Sequence, residues 1–331
     1  MPVLFLAGCS SDQGLSNILF AVTSQRLVFV SQRHGPVQAY RIQIDGQDFI
    51  QVSHTTGNVY APQWSPDGNR LAFTSDIGVP STGTDIFTVS PDGTDQVNLT
   101  QTPDVYDSDP SWSPDGRTIA FTSSRDSDYE VYVMNSDGSN PRRLTTRPEN
   151  DGGARWAPTG DWISFSSSVN DTAELFVMRP DGSDQRRITR SRTADFDPVW
   201  SPDGSVIAFW GRGADTTQIY LASPLGTSET PLTNNPNSAR EPSWSPDGER
   251  IVYSSDDGLH VIRRDGSDDQ QIPGTGRRDH TPVWSPDGRW IAFVNNEDPN
   301  NFEVFIMRVD GSERQNLSQN YYVDKSPAWE P

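Results

Sequence analysis

The chain has 331 residues, a formal net charge of −19 and an isoelectric point near 4.4. This charge disfavours nucleic acid and anionic lipid surfaces as partners, and it favours cations or a basic protein. The 26 glycines and 26 prolines, with only 33% hydrophobic residues, are typical of short strands joined by turns. Cys9 is the only cysteine, which excludes an internal disulfide.

The N-terminal residues 1–9 end in the sequence LAGC at Leu6–Cys9. This sequence looks like the lipobox of a bacterial lipoprotein, in which the cysteine is diacylated and becomes the mature N-terminus. A complete secretory signal has a charged start and about 7–15 apolar residues, and both are missing here. We predict a truncated lipoprotein-type signal peptide with lipid attachment at Cys9 and a true start further upstream. The alternative is an accidental apolar N-terminus.

Residues 10–24 are predicted to tether this anchor to a folded domain, with Asn17–Val22 apolar enough for an extra strand. No later segment approaches the ~20 consecutive apolar residues that span a bilayer, so the lipid is the only membrane contact that we expect. The predicted location is that of an exported lipoprotein, either periplasmic or on the cell surface.

From about residue 25 onward the sequence repeats one unit. The tryptophans that mark it are Trp64, Trp112, Trp156, Trp200, Trp244, Trp284 and Trp329. A spacing of about 40–45 residues is the signature of propeller blades, which bury their faces by stacking on their neighbours. After Trp112, the turn Ser113–Gly116 reads SPDG, where proline presets the second turn position and glycine accepts a positive φ. Three further strands follow, at Ile119–Phe121, Glu130–Met134 and Arg142–Thr145.

Seven units are present, and the first lacks the strand that carries the tryptophan. The chain ends with such a strand at Ser326–Pro331. The sequence therefore predicts an all-β fold over residues 25–331, a seven-bladed β-propeller of four-stranded antiparallel blades. A C-terminal velcro strand would close it and remove two open sheet edges. In the alternative, Asn17–Val22 supplies the inner strand and Trp329 is peripheral. We expect a monomer.

The repeated WSPDG turn, the IAF-type strand after it and the later DGS turn resemble the TolB-type, WD-like propeller family. The resemblance covers nearly all of residues 25–331, and it implies the propeller fold, an envelope location and protein binding. The chain has no nucleophile elbow, P-loop, H-E-x-x-H or C-x-x-C motif. We therefore predict a non-catalytic scaffold that binds a protein partner in the bacterial cell envelope.

An aspartate stands five residues before the repeat tryptophan in five of the seven units. These residues are Asp107, Asp151, Asp195, Asp279 and Asp324. Because this position starts the innermost strand, we expect the carboxylates near one mouth of the axial channel, as a ring that attracts a cation or a basic partner. Ca²⁺ is the natural choice for oxygen ligands, and no other cofactor is expected. Three more acids stand three residues before the tryptophan, at Asp109, Asp197 and Glu241.

A structural alternative exists for this ring. Each aspartate would then cap its own turn or bond a neighbouring blade, as a repeated unit requires. Val59 and Ala239 replace the aspartate in the two remaining units.

The competing hypothesis is a carbohydrate-active enzyme of the polysaccharide lyase type, because some propeller lyases that act on pectic oligosaccharides use a histidine-bound metal in the channel. It requires that at least two histidines converge with carboxylates around one ion. The histidines are His34, His54, His260 and His280.

Other polar and aromatic groups are assigned to the surface. Asp126, Asp128 and Glu130 are interpreted as an acidic hairpin loop. The arginine pairs are interpreted as solvated charges on or near outer strands, which discourage pairing between sheets. These pairs are Arg142–Arg143, Arg186–Arg187 and Arg263–Arg264. Three tryptophans outside the repeat are candidates for a surface contact, namely Trp162, Trp210 and Trp290.

Overall fold

A computed structural model describes residues 25–76, 82–190, 193–212, 215–298 and 301–331. The predictions for the signal at residues 1–9, lipid attachment at Cys9, the tether at 10–24 and the strand at Asn17–Val22 lie outside these residues. Within them, no helix is long and apolar enough to cross a membrane.

The repeated turn forms because its own side chains satisfy its backbone. The hydroxyl of Ser113 donates to Oδ1 of Asp115 at 2.6 Å, and the same oxygen accepts the backbone N–H of Arg117 at 3.1 Å. Gly116 has a φ of 69°, a left-handed conformation that glycine adopts without a steric penalty. The turn therefore reverses the chain tightly and starts the second strand in each of the six blades whose first and second strands are consecutive in the chain.

Twenty-eight strands are described, four to a blade. The first strands are β4 (Val59–Trp64), β8 (Asp107–Trp112), β12 (Asp151–Trp156), β16 (Asp195–Trp200), β20 (Ala239–Trp244), β24 (Asp279–Trp284) and β28 (Asp324–Trp329). The second strands are β1 (Arg26–Ser31), β5 (Leu71–Asp76), β9 (Thr118–Asp126), β13 (Ile163–Val169), β17 (Ile207–Arg212), β21 (Arg250–Ser255) and β25 (Trp290–Asp298). The third strands are β2 (Gln38–Gln43), β6 (Thr84–Val89), β10 (Asp128–Asn135), β14 (Thr172–Met178), β18 (Thr217–Ala222), β22 (Gly258–Arg263) and β26 (Asn301–Arg308). The outer strands are β3 (Ile50–Gln51), β7 (Val97–Asn98), β11 (Arg142–Arg143), β15 (Arg186–Arg187), β19 (Glu229–Pro231), β23 (Gln270–Gln271) and β27 (Gln315–Asn316).

These strands form seven four-stranded antiparallel sheets, so the predicted seven-bladed propeller is confirmed. Blades 2 to 7 each use four consecutive strands, starting at β4. Blade 1 has the order β28-β1-β2-β3, and its register places Leu27 opposite Trp329. The last strand of the chain is thus the inner strand of the blade that contains the first described strand.

The core lies between the blades, and within a blade the aromatic rings of the second and third strands stack on each other, as Phe73 and Phe87 do at 5.7 Å. Phe29, Phe73, Phe121, Phe165 and Phe209 of the second strands are fully buried. Five of the seven repeat tryptophans make a polar contact that the sequence did not predict. Their indole Nε1 donates to a backbone oxygen in the first strand of the preceding blade at 3.1–3.4 Å. The observed pairs are Trp64 with Ala328, Trp112 with Gln63, Trp200 with Arg155, Trp244 with Val199 and Trp329 with Val283.

Candidate binding face

The two faces of the disc are built differently. We call the face where every first strand begins the loop face; it carries the connections between second and third strands and those between blades. The opposite face, the turn face, carries the tight turns after the first and third strands. Because first strands of adjacent blades pack side by side around the axis, their N-terminal residues surround the channel mouth on the loop face.

The turn face uses its aspartates to hold its own turns. Asp137 accepts hydrogen bonds from the side chain and the backbone N–H of Ser139, at 2.6 and 2.9 Å. Asp181 and Asp265 repeat this geometry in other blades. Hydrogen bonds of this kind lower the pKa of these carboxyls below their usual range. The acidity of this face therefore follows from turn structure.

At the axis, every first strand has a bulge at the third residue before its tryptophan. All seven residues there have a positive φ, between 47° and 63°. They are Ala61, Asp109, Gly153, Asp197, Glu241, Thr281 and Ser326. Six are not glycine, and such residues adopt this conformation only where the surrounding structure holds them. The bulge turns these residues out of the regular ladder beside the channel.

The acids at this bulge have partners nearby. Asp197 accepts a hydrogen bond from the indole of Trp210 at 2.7 Å. Glu241 accepts the backbone N–H of Thr281 in the next blade at 2.7 Å, and the hydroxyl of Ser254 at 2.8 Å. The carboxylates at this position therefore fix neighbouring parts of the channel mouth to one another.

The five aspartates predicted to form a cation ring are buried, with 0–2% of their surface exposed. Within the described ranges, ion pairs with an arginine are seen for four of them, and Asp195 is also in contact with a partner. The pairs are Asp107 with Arg125 at 3.2 Å, Asp151 with Arg147 at 3.1 Å, Asp279 with Arg314 at 2.9 Å and Asp324 with Arg33 at 3.4 Å. Burial raises the pKa of Asp151 and Asp324, while hydrogen bonds and the paired arginine act to lower it.

The arginines of these pairs come from different parts of the blade, but they occupy one position. Each guanidinium lies over the aromatic rings of the second and third strands. Arg125, for example, stands 5.4 Å from the ring centre of Phe121 and 4.8 Å from that of Tyr132. The arginine thus links the buried carboxylate to the aromatic core by charge and by a cation–π contact.

Cation binding by the five aspartates stays a prediction. Among the described residues, no group of three or more histidine, cysteine, aspartate or glutamate side chains is arranged to hold a metal ion. The histidines are dispersed: His34 bonds Tyr40 at 2.9 Å, and His260 bonds Asp257 at 2.9 Å and Asp269 at 3.3 Å. The convergence of histidines that a channel metal requires is therefore not seen in the described part of the chain.

A second set of buried polar residues was missed by sequence reasoning. In each blade, a serine or threonine just after the outer strand accepts, with its side-chain hydroxyl, a backbone N–H from the start of the third strand. In six blades the same hydroxyl also donates to the side chain of the residue directly before that N–H. The six side chains are Gln38, Asp85, Glu130, Glu174, Gln218 and Glu303, and their hydroxyl partners are Ser53, Thr100, Thr145, Thr189, Thr233 and Ser318. We call this arrangement the hydroxyl clamp.

The clamp corrects two interpretations. Glu130 does not belong to an acidic hairpin loop, because it is fully buried in β10. Arg143 and Arg187 are not solvated edge charges, because they form ion pairs with Glu130 and Glu174. The signal was present in the sequence as arginine followed two residues later by threonine, but its meaning depends on the pairing between third and outer strands.

Exposed aromatic residues are concentrated on the loop face. Nine large hydrophobic side chains are exposed in the part of the chain that the structure describes, and six of them lie on this face. These six are Tyr60, Tyr106, Tyr129, Phe196, Tyr321 and Tyr322, with exposed fractions from 40% to 94%. Of the three tryptophans expected at the surface, Trp162 and Trp290 are buried, whereas Trp210 stacks on Phe196 near the axis at 4.5 Å.

Comparison with known proteins identifies the family. The family model described as the TolB beta propeller domain matches residues 20–163 and 150–331. The chain belongs to the TolB β-propeller family. A 52-residue stretch is 48% identical to the Tol-Pal system protein TolB of Syntrophus aciditrophicus (strain SB). That stretch is 15% of this chain and 11% of the length of that protein.

Solved structures with the same fold include TolB from Acinetobacter baumannii, with a TM-score of 0.61 and 20% identity over 96% of this chain and 70% of that one. An oligogalacturonate lyase in complex with manganese has a TM-score of 0.71 and 15% identity over 86% of this chain and 85% of that one. A puromycin hydrolase has a TM-score of 0.72 and 16% identity over 92% of this chain and 53% of that one. At these identities the matches establish the fold, which this TolB-family chain shares with a TolB protein, a lyase and a hydrolase.

Proposed function

We propose that this chain is a non-catalytic scaffold of the bacterial cell envelope that binds a protein partner through its loop face. The observation that carries the proposal is the concentration of exposed aromatic residues on that face. Tyrosine and other aromatic residues are enriched in protein interfaces, because they bury a large area and lose little rotamer freedom. A rigid disc whose two faces differ in this way suits recognition by one face.

The proposal places the protein in the envelope as an exported lipoprotein, periplasmic or at the cell surface, held by lipid at Cys9. Membership of the TolB family and the LAGC sequence support this placement. The net charge of −19 supports a partner with basic segments. We propose that the propeller itself acts as a monomer.

Site-specific photo-crosslinking in intact cells tests the choice of face. A photoreactive phenylalanine analogue replaces Tyr106 or Tyr129 on the loop face, or Leu225 on the turn face, which is 58% exposed and serves as the matched control. We expect one discrete protein adduct from the two loop-face positions and none from Leu225. Equal adducts from both faces, or no adduct from either Tyr106 or Tyr129, would remove the proposal. A Cys9→Ala form tests the anchor separately, because it should lose membrane fractionation.

A lyase-type carbohydrate-active enzyme with a metal in the axial channel is the competing function. His280 favours it, since it lies beside the channel mouth and burial lowers its pKa, which keeps the ring neutral and able to accept a metal or a proton. Its ring bonds the hydroxyl of Thr281 at 2.8 Å. Release of unsaturated sugars from oligogalacturonate with Mn²⁺ present, lost in His280→Ala, would replace the scaffold proposal by this one.

A further inference from the structure

Blade 7 contains a polar pocket of about 530 Å³ on the loop face. It lies where the third strand β26 and the outer strand β27 meet the connection that follows them. Glu297, Asp298 and Glu303 contribute carboxylates, and no lysine, arginine or histidine is among the described residues that line it. Tyr321, which is 94% exposed, stands at its rim. This space is called the blade-7 pocket below.

Glu303 is a member of the hydroxyl clamp, and 8% of its surface is exposed. Its carboxylate accepts hydrogen bonds from the hydroxyl of Ser318, the side-chain amide of Asn301 at 2.9 Å and the backbone N–H of Asn320 at 3.1 Å. All of these donors are neutral, and among the described residues Glu303 has no ion pair. A buried carboxylate without a cation is costly, so this position favours an added positive charge.

The sister blades show what fits this position. Glu130 in blade 3 and Glu174 in blade 4 are the equivalents of Glu303, and each forms an ion pair with an arginine of the outer strand. Those arginines stand opposite an aromatic residue of the third strand, as in the pair of Tyr132 with Arg143. In the blade-7 pocket the corresponding pair is Phe305 with Asn316.

The geometry in blades 3 and 4 is specific for a guanidinium group. Nη2 of the arginine contacts the glutamate, while Nε donates at 2.5 Å to the backbone oxygen of the clamp threonine, as Arg143 does to Thr145. In blade 7 Asn316 is too short to reach Glu303 in this way, and it bonds Gln319 instead, at 3.0 Å. The shorter side chain leaves the guanidinium position open to the pocket.

A second observation also indicates a missing donor. Oδ1 of Asn301, which lines the blade-7 pocket, is buried and has no hydrogen-bond partner among the residues that the structure describes. Its amide nitrogen is held by Glu303 and by the backbone oxygen of Asn320 at 2.9 Å, so the oxygen cannot exchange places with it without losing both bonds. A ligand with several N–H groups in one plane would satisfy this oxygen together with Glu303.

We propose that the blade-7 pocket binds the guanidinium group of an arginine supplied by a partner protein. The guanidinium would pair with Glu303, as Arg143 pairs with Glu130 inside blade 3, and Tyr321 would cover the arginine stem. The identification of the ligand as a peptide segment rests on the proposed function, in which a protein partner binds the loop face, since the blade-7 pocket lies on that face.

The test is titration of the full propeller at low salt with the peptide acetyl-Gly-Arg-Gly-amide, followed by calorimetry or NMR. We expect binding of this peptide, at least tenfold weaker binding of its lysine analogue, and no binding of the citrulline analogue, which has the same shape but no charge. Equal binding of the citrulline and arginine peptides would overturn the proposal, and so would the absence of binding by all three.

Two variants locate the binding at this pocket. Glu303→Gln, which reproduces Gln218 of blade 5, should fold and weaken arginine binding at least tenfold. Asn316→Arg should place a guanidinium in the pocket from within the chain and abolish peptide binding. Gln51→Arg is the matched control, because it places an arginine at the equivalent outer-strand position of blade 1, where the clamp residue Gln38 is neutral. It should leave binding unchanged within twofold.

Circular dichroism and the melting temperature confirm that the variants are folded. If Asn316→Arg is folded and still binds the peptide, the proposal is wrong. Failure of the peptide titration leaves the crosslinking result at Tyr106 intact, so the pocket and the scaffold proposal can be rejected separately.

Discussion

The pairing of Asp279 with Arg314 leads to a prediction in which a second mutation should restore stability. Arg314 binds both oxygens of Asp279 at 2.9 Å, and the side chains are 27% and 2% exposed, respectively. In Arg314→Leu the buried carboxylate loses its cation, at a cost of about 3–5 kcal/mol in the free energy of unfolding. Asp279→Asn removes the charge but keeps one acceptor, and Arg314 can turn toward water, so we expect a loss of about 1–2 kcal/mol.

The double variant Asp279→Asn/Arg314→Leu contains neither charge. It should therefore be more stable than Arg314→Leu alone, by about 1–2 kcal/mol, since the energies of contacting residues are not additive. Equilibrium unfolding in urea measures all three variants. Arg308→Leu is the matched control: Arg308 is also 27% exposed and stacks on Trp290, but its partner Glu313 is 59% exposed, so the loss should stay within about 1 kcal/mol.

A double variant less stable than Arg314→Leu would refute the view that the pair acts by neutralising a buried charge.

Thermal unfolding in the presence of Ca²⁺ tests the cation ring. If the aspartates are held by arginines, the melting temperature of the wild type should not change with Ca²⁺ or with a chelator. A rise with Ca²⁺ that Asp279→Asn removes would instead establish the ring as a cation site.

Three further predictions concern stability. Trp244→Phe removes the hydrogen bond to Val199 and should cost about 1–2 kcal/mol more than Trp284→Phe, because Nε1 of Trp284 has no partner among the described residues; urea unfolding measures the difference. Hydrogen bonds from a serine and the backbone hold the pKa of Asp115 below its usual value of 3.8. The stabilisation of the fold by charged Asp115 is therefore complete above pH 3.8 and is lost as the pH falls through the folded-state pKa. The melting temperature should therefore fall between pH 4 and 2, less steeply in Asp115→Asn, and a rise over this range would contradict the argument. Burial acts to lower the pKa of His260, but hydrogen bonds to two aspartates outweigh burial and raise the pKa above 6.5. The stabilisation of the fold by charged His260 is therefore complete below pH 6.5 and is lost as the pH rises through the folded-state pKa. An NMR titration of His260 with a midpoint below 6.5 would exclude this prediction.

The fold could be predicted from the sequence because its information is local and repeated. The turn Ser113–Gly116 bonds its own backbone, so a short stretch specifies a hairpin without help from distant residues. Repetition of that stretch at the spacing of a blade then indicates stacking around one axis. The number of blades follows from counting the repeats, and the described residues form seven four-stranded sheets, in agreement with that count.

The candidate site was predicted only in part. The aspartates were placed correctly at the start of the first strands, but their burial was not foreseen, since an aspartate looks the same in a sequence whether it is solvated or paired. The hydroxyl clamp was missed for a similar reason. Thr145 and Glu130 are separated by a whole strand and turn, and only the register of β10 and β11 brings them together.

The sequence by itself therefore determined the strands, the turns and the number of blades, because each depends on residues close together in the chain. The tertiary structure alone decided which charges are neutralised. Arg33 reaches Asp324 across 291 positions of sequence. Arg125 reaches the equivalent place in its blade from strand β9, and Arg314 reaches it from the turn before β27. A charge pair depends on distance in space and on burial, and neither is encoded in the spacing of residues along the chain.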